Sequence, residues 1–230
     1  MKHHLAFGLG IMSLGSFANA GDVYFQDFQG TGPFNYWSPF PITTAPSGER
    51  FLGRLANNDL AEFNVTQYTG SHALHTYTVS FDLYAIGSLD GENQLVGPDQ
   101  FYFGLQNGTN FFKESFSNWE GYNQSYGGPG ISGSFAPRTG ATSINTLGLN
   151  EYFLDTYSGD SVYRNLSFTF QHEGELTLRF GALGLQNKDD ESFGIDNLRV
   201  SVDPVPEPAS FAALGVGASV LLARRRRKNK

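Results

Sequence analysis

Carboxylate side chains are concentrated in two segments whose composition predicts loops. The first segment holds Asp90, Glu92 and Asp99, and the second, just before the last predicted strand, holds Asp189, Asp190 and Glu191. Carboxylates this dense repel one another unless a cation or an arginine lies between them. Calcium takes about six to eight oxygen ligands, so both segments are candidate calcium sites. The alternative is solvated loop acids, some of them paired with Arg54, Arg179 or Arg199.

Aromatic side chains in predicted loops form a second kind of candidate site. They are Tyr36, Trp37, Trp119, Tyr122 and Tyr126. Sugar rings stack on aromatic faces, so these side chains can form a platform for carbohydrate. The alternative is that some of them cover the hydrophobic core, because aromatic side chains bury a large apolar area.

Several other chemistries are disfavoured by the residue types present. The chain has no cysteine, which excludes disulfides, cysteine nucleophiles and cysteine-based zinc sites. His72 and His75 are three residues apart, so on a strand they point to opposite faces and are poor zinc co-ligands. No Gly-x-Ser-x-Gly elbow or phosphate loop occurs. A glycoside hydrolase needs two opposed carboxylates, and an acidic chain offers many pairs by chance.

Charge is distributed unevenly along the chain. Residues 21–203 carry 8 Lys and Arg against 21 Asp and Glu, a net charge of −13. A domain this acidic does not attract nucleic acid or an anionic membrane through its bulk field. We therefore expect no nucleic-acid partner.

The N-terminal residues 1–20 have the three parts of a secretory signal peptide. A short positive segment is followed by an apolar segment over 5–17, and Ala18-Asn19-Ala20 offers the small side chains that a signal peptidase requires. We predict a signal helix that is cleaved after residue 20.

The C-terminal residues 204–230 contain three adjacent blocks: a Pro-Glu-Pro motif, an apolar stretch and a basic cluster. The motif is Pro206, Glu207 and Pro208, and the cluster includes Arg224, Arg225, Arg226, Arg227 and Lys228. An apolar stretch before a basic cluster stops translocation. The stretch at 211–223 is shorter than the roughly 20 residues of a full span. A plain membrane anchor is one interpretation.

These three blocks resemble the PEP-CTERM sorting signal. The resemblance implies that the Pro-Glu-Pro motif is recognised by an exosortase and that an apolar helix contacts the membrane transiently. It also implies an exported protein at the cell envelope, on the outer surface or in the extracellular matrix of a Gram-negative bacterium.

Residues 21–203 predict one all-β domain. Phe and Tyr are abundant, at 21 and 11 residues, and 28 glycines separate short apolar segments. The clearest strand covers 75–86, where apolar and polar side chains alternate. We predict a hairpin around Glu173-Gly174 and a long irregular loop over 121–142. About eight to eleven short strands at this spacing favour a β-sandwich, most simply a jelly roll.

Segments of this domain resemble a secreted bacterial β-sandwich domain that often accompanies the PEP-CTERM tail. The resemblance rests on Phe51-Leu-Gly-Arg54, Ser80-Phe-Asp-Leu-Tyr84 and Asp190-Glu-Ser-Phe-Gly-Ile-Asp-Asn-Leu-Arg-Val200, among other segments. Its usual Asp-Ser-Trp-Asp-Gly loop is altered here, since Gly87 and Leu89 replace the first Asp and the Trp. No catalytic activity comes with this resemblance.

The final strand also resembles the last strand of jelly-roll carbohydrate-binding modules and concanavalin-like domains. In many such modules an aspartate of that strand holds a structural calcium together with an acidic residue of the first strand. The matching residues are Asp196 and Asp27. The candidate calcium ligands are therefore Asp27, Asp90, Glu92, Asp99, Asp190 and Asp196.

Two functions from different classes remain open. The first is an exported, non-catalytic surface or matrix protein, such as a biofilm component, that binds exopolysaccharide, calcium or both. The second is a secreted glycan-active enzyme. Signal peptidase and exosortase are the expected processing partners.

Overall fold

Strands make up almost all of the regular structure, in agreement with the aromatic-rich and glycine-rich composition. The computed structural model describes residues 21–30, 37–38, 41–70, 72–149, 151–153 and 156–203. A four-residue helix, α1 (Thr66–Thr69), lies among the strands. The strands, in chain order, are β1 (Gly21–Gln26), β2 (Trp37–Ser38), β3 (Ile42–Thr44), β4 (Arg50–Leu55), β5 (Leu60–Asn64), β6 (His75–Gly87), β7 (Gln100–Leu105), β8 (Asn110–Ser115), β9 (Gln124–Gly128), β10 (Ile131–Phe135), β11 (Ser143–Ile144), β12 (Glu151–Phe153), β13 (Thr156–Ser158), β14 (Asp160–His172), β15 (Thr177–Leu183) and β16 (Glu191–Val202).

The larger sheet has seven strands built around β6 and β16. Its order is β11-β14-β6-β16-β4-β3, and β1 also pairs with β16. β4 pairs with the first half of β16 and β1 with the second half, so the two strands share one edge of it. β16 is therefore hydrogen-bonded on both sides along most of its length.

The smaller sheet has five strands in the order β2-β5-β15-β7-β8, and all of its pairs are antiparallel. Two further ribbons, β9-β10 and β12-β13, stand apart from both sheets in the pairing scheme.

The two sheets face each other across an aromatic core. Phe81 on β6 lies 5.5 Å from Phe103 on β7 and 5.2 Å from Phe180 on β15, measured between ring centroids. All three rings are buried, as the alternation along β6 predicts. Two antiparallel sheets that share one core form a β-sandwich, so the predicted fold class is confirmed.

Two local predictions are wrong. The segment 121–142 is not one long irregular loop, because it contains the β9-β10 hairpin. Gly130, at a φ of 69°, provides the tight turn of this hairpin. Glu173-Gly174 does not close a hairpin, since β14 pairs in the larger sheet and β15 in the smaller one. This segment is a crossover between the sheets.

The predicted signal helix at 1–20 and the predicted apolar helix at 211–223 lie outside the described residues. Within the part of the chain that the structure describes, no helix is both long and apolar enough to cross a membrane.

Candidate functional site

Three carboxylates from distant parts of the sequence meet at one end of the sandwich. Asp90 follows β6, Asp99 precedes β7, and Glu191 is the first residue of β16. One carboxylate oxygen from each residue lies within 4.8 Å of those of the other two. We call Asp90, Asp99 and Glu191 the carboxylate cluster. It is the type of ligand group that the sequence predicted for these loops.

The strand pairing explains why Glu191 reaches this cluster. Gly87, the last residue of β6, lies opposite Glu191 in the antiparallel ladder. A Cβ atom at position 87 would lie 1.9 Å from the carbonyl oxygen of Asp190, and the φ of Gly87 is 85°. Glycine is therefore the residue that permits this close approach of the two segments.

A buried asparagine fixes the loop on the other side of the cluster. The side-chain amide of Asn118 donates to the carbonyl oxygens of Ala85, Gly87 and Gly159 at 3.0–3.1 Å. Ser117, its neighbour, forms an isolated antiparallel bridge with Asp90. These contacts hold the segment after β8 against the end of β6.

Two carboxylates of the cluster are each anchored through one oxygen. The backbone N–H of Asp90 donates to Asp99 Oδ2, and the backbone N–H of Gln186 donates to Glu191 Oε1 at 2.8 Å. Asp99 Oδ1 and Glu191 Oε2 are buried and have no hydrogen-bond partner among the described residues. Both side chains are 0% exposed. Buried polar atoms without a partner are rare, so this pair of carboxyl groups requires either a shared proton or a bound cation.

The cluster has strongly perturbed electrostatics. Burial raises the pKa of Asp99 to about 6, and burial together with the charge of Asp99 raises the pKa of Glu191 to about 9. Burial, and then the nearby charge of Asp190, raises the pKa of Asp90. Without a cation, Glu191 is therefore protonated at neutral pH, and its proton is shared with Asp99 in a hydrogen bond between the two carboxyl groups.

A cavity of about 320 Å³ lies beside the cluster. Asp90 belongs to both, and Trp119, Tyr122, Gln186 and Asp190 also line the cavity. The rings of Trp119 and Tyr122 are 6.5 Å apart between centroids and inclined at 43°. The cavity thus combines aromatic surface with carboxylate and amide groups, the combination typical of ligand sites.

The other predicted aromatic residues do not join this cavity in the described structure. Tyr126 is 3% exposed, and its ring packs against Phe116 and Tyr163 at centroid distances of 5.2 and 5.4 Å. Tyr126 lines a second cavity, described below, so its role in sugar stacking stays a prediction. Tyr36 lies outside the described residues, and Trp37 lies in β2 with a side chain outside them.

The remaining predicted calcium ligands are distributed over other contacts. Glu92 Oε2 accepts a 2.9 Å hydrogen bond from Ser134, and Asp190 Oδ1 accepts one of 2.6 Å from Ser88. Neither belongs to the group of three ligand side chains, although Asp190 lines the neighbouring cavity.

Asp196 and Asp27 have separate hydrogen-bond partners. Asp196 accepts 2.8 and 2.7 Å hydrogen bonds from Tyr84 Oη and from the backbone N–H of Asn197. Asp27 Oδ1 accepts from the backbone of Gln29 at 3.2 Å. Burial raises the pKa of Asp196 to about 7. Since both oxygens of Asp196 already have protein donors, this pair fits a calcium ion less well than the carboxylate cluster does.

Glu191 is the cluster member that the predicted ligand set lacked. The acidic segment that predicts a calcium site includes Glu191, but the predicted ligand set takes Asp190 from it. The two-residue period of a strand, counted back from the buried Phe193 and Ile195, puts Glu191 on the inward face. That signal was present in the sequence.

A second cavity, of about 540 Å³, lies beside β8 and the β9-β10 hairpin. Its carboxylate, Glu114, accepts hydrogen bonds from Ser125, at 2.5 Å, and from Ser132. Both oxygens of this carboxylate have donors, so the cavity lacks the unpartnered groups found at the carboxylate cluster.

Comparison with known proteins identifies the tail and relates the fold to two solved domains. Residues 204–228 match the PEP-CTERM protein-sorting motif, which confirms the prediction for this segment and indicates export and cell-surface sorting in bacteria. No curated protein matches the chain.

Two solved structures are similar to this chain. One is the CBM22-1 xylan-binding domain of Xyn10C from Paenibacillus barcinonensis, with a TM-score of 0.38, 11% identity and coverage of 81% of this chain and 97% of that one. The other is the C-terminal CBM6 of LamC, a marine laminarinase from Zobellia galactanivorans, with a TM-score of 0.35, 10% identity and coverage of 80% and 99%.

Proposed function

We propose that this chain is an exported, non-catalytic protein of the bacterial cell surface or extracellular matrix, and that its sandwich binds exopolysaccharide in the cavity beside Trp119 and Tyr122. The PEP-CTERM motif at 204–228 supports the sorting part of this proposal. Signal peptidase acts at the N-terminal end and exosortase at the Pro-Glu-Pro motif, so contact of the tail with the membrane is transient.

The observation that carries the binding part is the composition of the cavity. Trp119 and Tyr122 present two inclined rings, and Tyr122 is 37% exposed. Gln186, Asp90 and Asp190 lie around the same space. Aromatic rings contact the C–H faces of a sugar, while amides and carboxylates accept or donate hydrogen bonds to its hydroxyl groups.

The charge of the domain supports a carbohydrate ligand over other polymers. The net charge of −13 over residues 21–203 repels nucleic acid and anionic lipid. A neutral glycan is not subject to this repulsion, and an anionic glycan needs a bridging cation.

Binding and turnover on the same polymers test this proposal. The purified full-length chain, kept soluble in mild detergent, is titrated with neutral and acidic bacterial exopolysaccharides in affinity electrophoresis. Retardation by at least one polymer, with no release of reducing ends, is the expected result. Retardation by none of a broad panel contradicts the binding proposal.

The second candidate function is a glycan-active enzyme. It is favoured by Asp90 and Asp190, which line one cavity, and by burial, which raises the pKa of Asp90 in the direction that a general acid requires. Robust hydrolysis in the turnover assay, lost in Asp90→Asn, would replace the binding proposal with this one.

A further inference from the structure

We propose that Asp90, Asp99 and Glu191 bind one calcium ion at the base of the cavity, and that open coordination positions of this ion contact the bound glycan. The first part stands on the carboxylate cluster alone. The second part rests on the proposed glycan binding.

The unpartnered oxygens are the first step of the argument. Asp99 Oδ1 and Glu191 Oε2 are fully buried, and when both carboxylates are ionised neither oxygen has a donor among the described residues. The other oxygen of each carboxylate is held by a backbone N–H, so both side chains are fixed in place. A fixed carboxylate with one free buried oxygen is preorganised for a cation.

The spacing of the oxygens is the second step. Calcium–oxygen distances of about 2.3–2.6 Å allow two ligands to be up to about 4.6–5.2 Å apart across the ion. The three ligand oxygens lie within 4.8 Å of one another, which is inside this limit.

The three arginines that the sequence offers as partners for the loop acids have contacts of their own. Arg179 pairs with Glu62 at 3.0 Å, and Arg199 pairs with Asp22. Arg54 donates to Ser192 Oγ at 2.7 Å. Arg179 and Arg199 therefore pair with carboxylates other than Asp99 and Glu191.

The coordination number connects the ion to the cavity. Three carboxylates supply between three and six oxygens, and calcium takes about six to eight. Asp90 lines the cavity as well as the cluster, so the missing ligands come from that side. Water fills these positions in the free protein, and hydroxyl or carboxylate oxygens of a glycan can replace it.

The metal alone tests the first part. The full-length chain, stripped with a chelator, is titrated with CaCl₂ by calorimetry and with Tb³⁺, whose luminescence is sensitised by nearby aromatic rings. One ion per chain is expected, and Glu191→Gln is expected to weaken its affinity at least about tenfold because a charged ligand is lost. Asp189→Asn, an exposed acid of the same segment, is the matched control and leaves the affinity unchanged.

A separate measurement distinguishes loss of ion binding from loss of folding. Near-ultraviolet circular dichroism verifies that Glu191→Gln retains its packed core. Absence of calcium binding at millimolar concentration, or equal affinity in Glu191→Gln and wild type, overturns the proposed site.

Affinity electrophoresis with and without chelator tests the second part. Loss of polymer retardation in chelator, restored by calcium but not in Glu191→Gln, supports contact between ion and glycan. Retardation that persists in chelator overturns this contact but leaves the proposed function standing. Calcium binding without retardation by any polymer supports the ion site and contradicts the proposed function.

Discussion

Gly87 faces Glu191 across the β6-β16 ladder, and a Cβ atom at position 87 would lie 1.9 Å from the carbonyl oxygen of Asp190. The approach of these two backbones brings an acidic residue of the last strand to the loop that follows the central strand. The carboxylate cluster thus depends on a residue that has no side chain.

Gly87→Ala is expected to destabilise the domain by at least about 2–5 kcal/mol, since it adds backbone strain at positive φ to a clash with a backbone oxygen. Gly108→Ala is the matched control. Gly108 has a φ of 93°, but a Cβ atom there meets nothing within 4 Å, so we expect a loss of about 1–2 kcal/mol. Urea unfolding measures both, and equal losses would contradict the close approach.

The stability of the calcium-free protein is expected to fall as pH rises from about 5 to 9. The pKa values of Asp99 and Glu191 lie above their ordinary values of 3.8 and 4.5, so the folded state binds more protons than the unfolded state in this range. The free energy of unfolding therefore decreases with pH. Melting midpoints measured in chelator across this range provide the test.

Glu191→Gln is the control for this pH dependence. The variant removes the buried charge, so its midpoint in chelator is expected to exceed that of wild type at pH 8 and to match it near pH 4.5. A wild-type midpoint that rises steadily from pH 5 to 9 in chelator would show that the cluster does not carry the expected protons.

Substitution of Asn118 is expected to lower the free energy of unfolding more than substitution of most other polar residues. Asn118→Asp replaces the amide donor by a charged acceptor and leaves the carbonyl oxygens of Ala85, Gly87 and Gly159 without it. We expect a loss of about 2–4 kcal/mol in the free energy of unfolding, with weaker calcium binding. Asn123→Asp, at an exposed site, changes stability by less than about 0.5 kcal/mol. Similar losses in both variants would argue against this role for Asn118.

Tyr122→Ala is expected to weaken polysaccharide binding about tenfold, which corresponds to about 1.4 kcal/mol of lost contact with the sugar. Tyr126→Phe serves as the control, because its ring is buried and remains in the core. Dissociation constants from titration of one retarded polymer give the comparison. Unchanged binding in Tyr122→Ala would exclude this cavity as the glycan site.

Replacement of Pro206, Glu207 and Pro208 by alanines is expected to block C-terminal processing in the native host. The variant then retains its apolar and basic segments and accumulates in the membrane fraction at a higher mass. Fractionation and mass spectrometry compare it with wild type. Identical mass and location in both would leave the plain membrane anchor as the interpretation of the tail.

The fold was predictable because its signals are local. Alternation along β6 identified the inward-facing Val79, Phe81 and Leu83, all of which are buried. The crossover at Glu173-Gly174 was not predictable, since a tight turn between two strands has the same composition whether they share a sheet or belong to two. That distinction depends on long-range pairing with β6 and β7.

The candidate site was only partly predictable for a related reason. Asp90 and Asp99 are close in sequence, and their loop composition marked them as ligands. Glu191 joins them through a ladder between strands that are about a hundred residues apart, and no local pattern shows that pairing. Tyr126 lies on a strand of the β9-β10 hairpin, although the composition of its segment predicts a loop.

The position of β16 has a mechanical consequence. This strand has 12 residues and is about 37 Å long, with Glu191 at one end and Val202, which leads to the C-terminal tail, at the other. Tension between a polymer held at the first end and an envelope attachment beyond the second would run along the strand. Because Asp90 follows β6 at the same end, the load that enters through Asp90 would stress the β6-β16 hydrogen bonds together in shear and would not break them one after another.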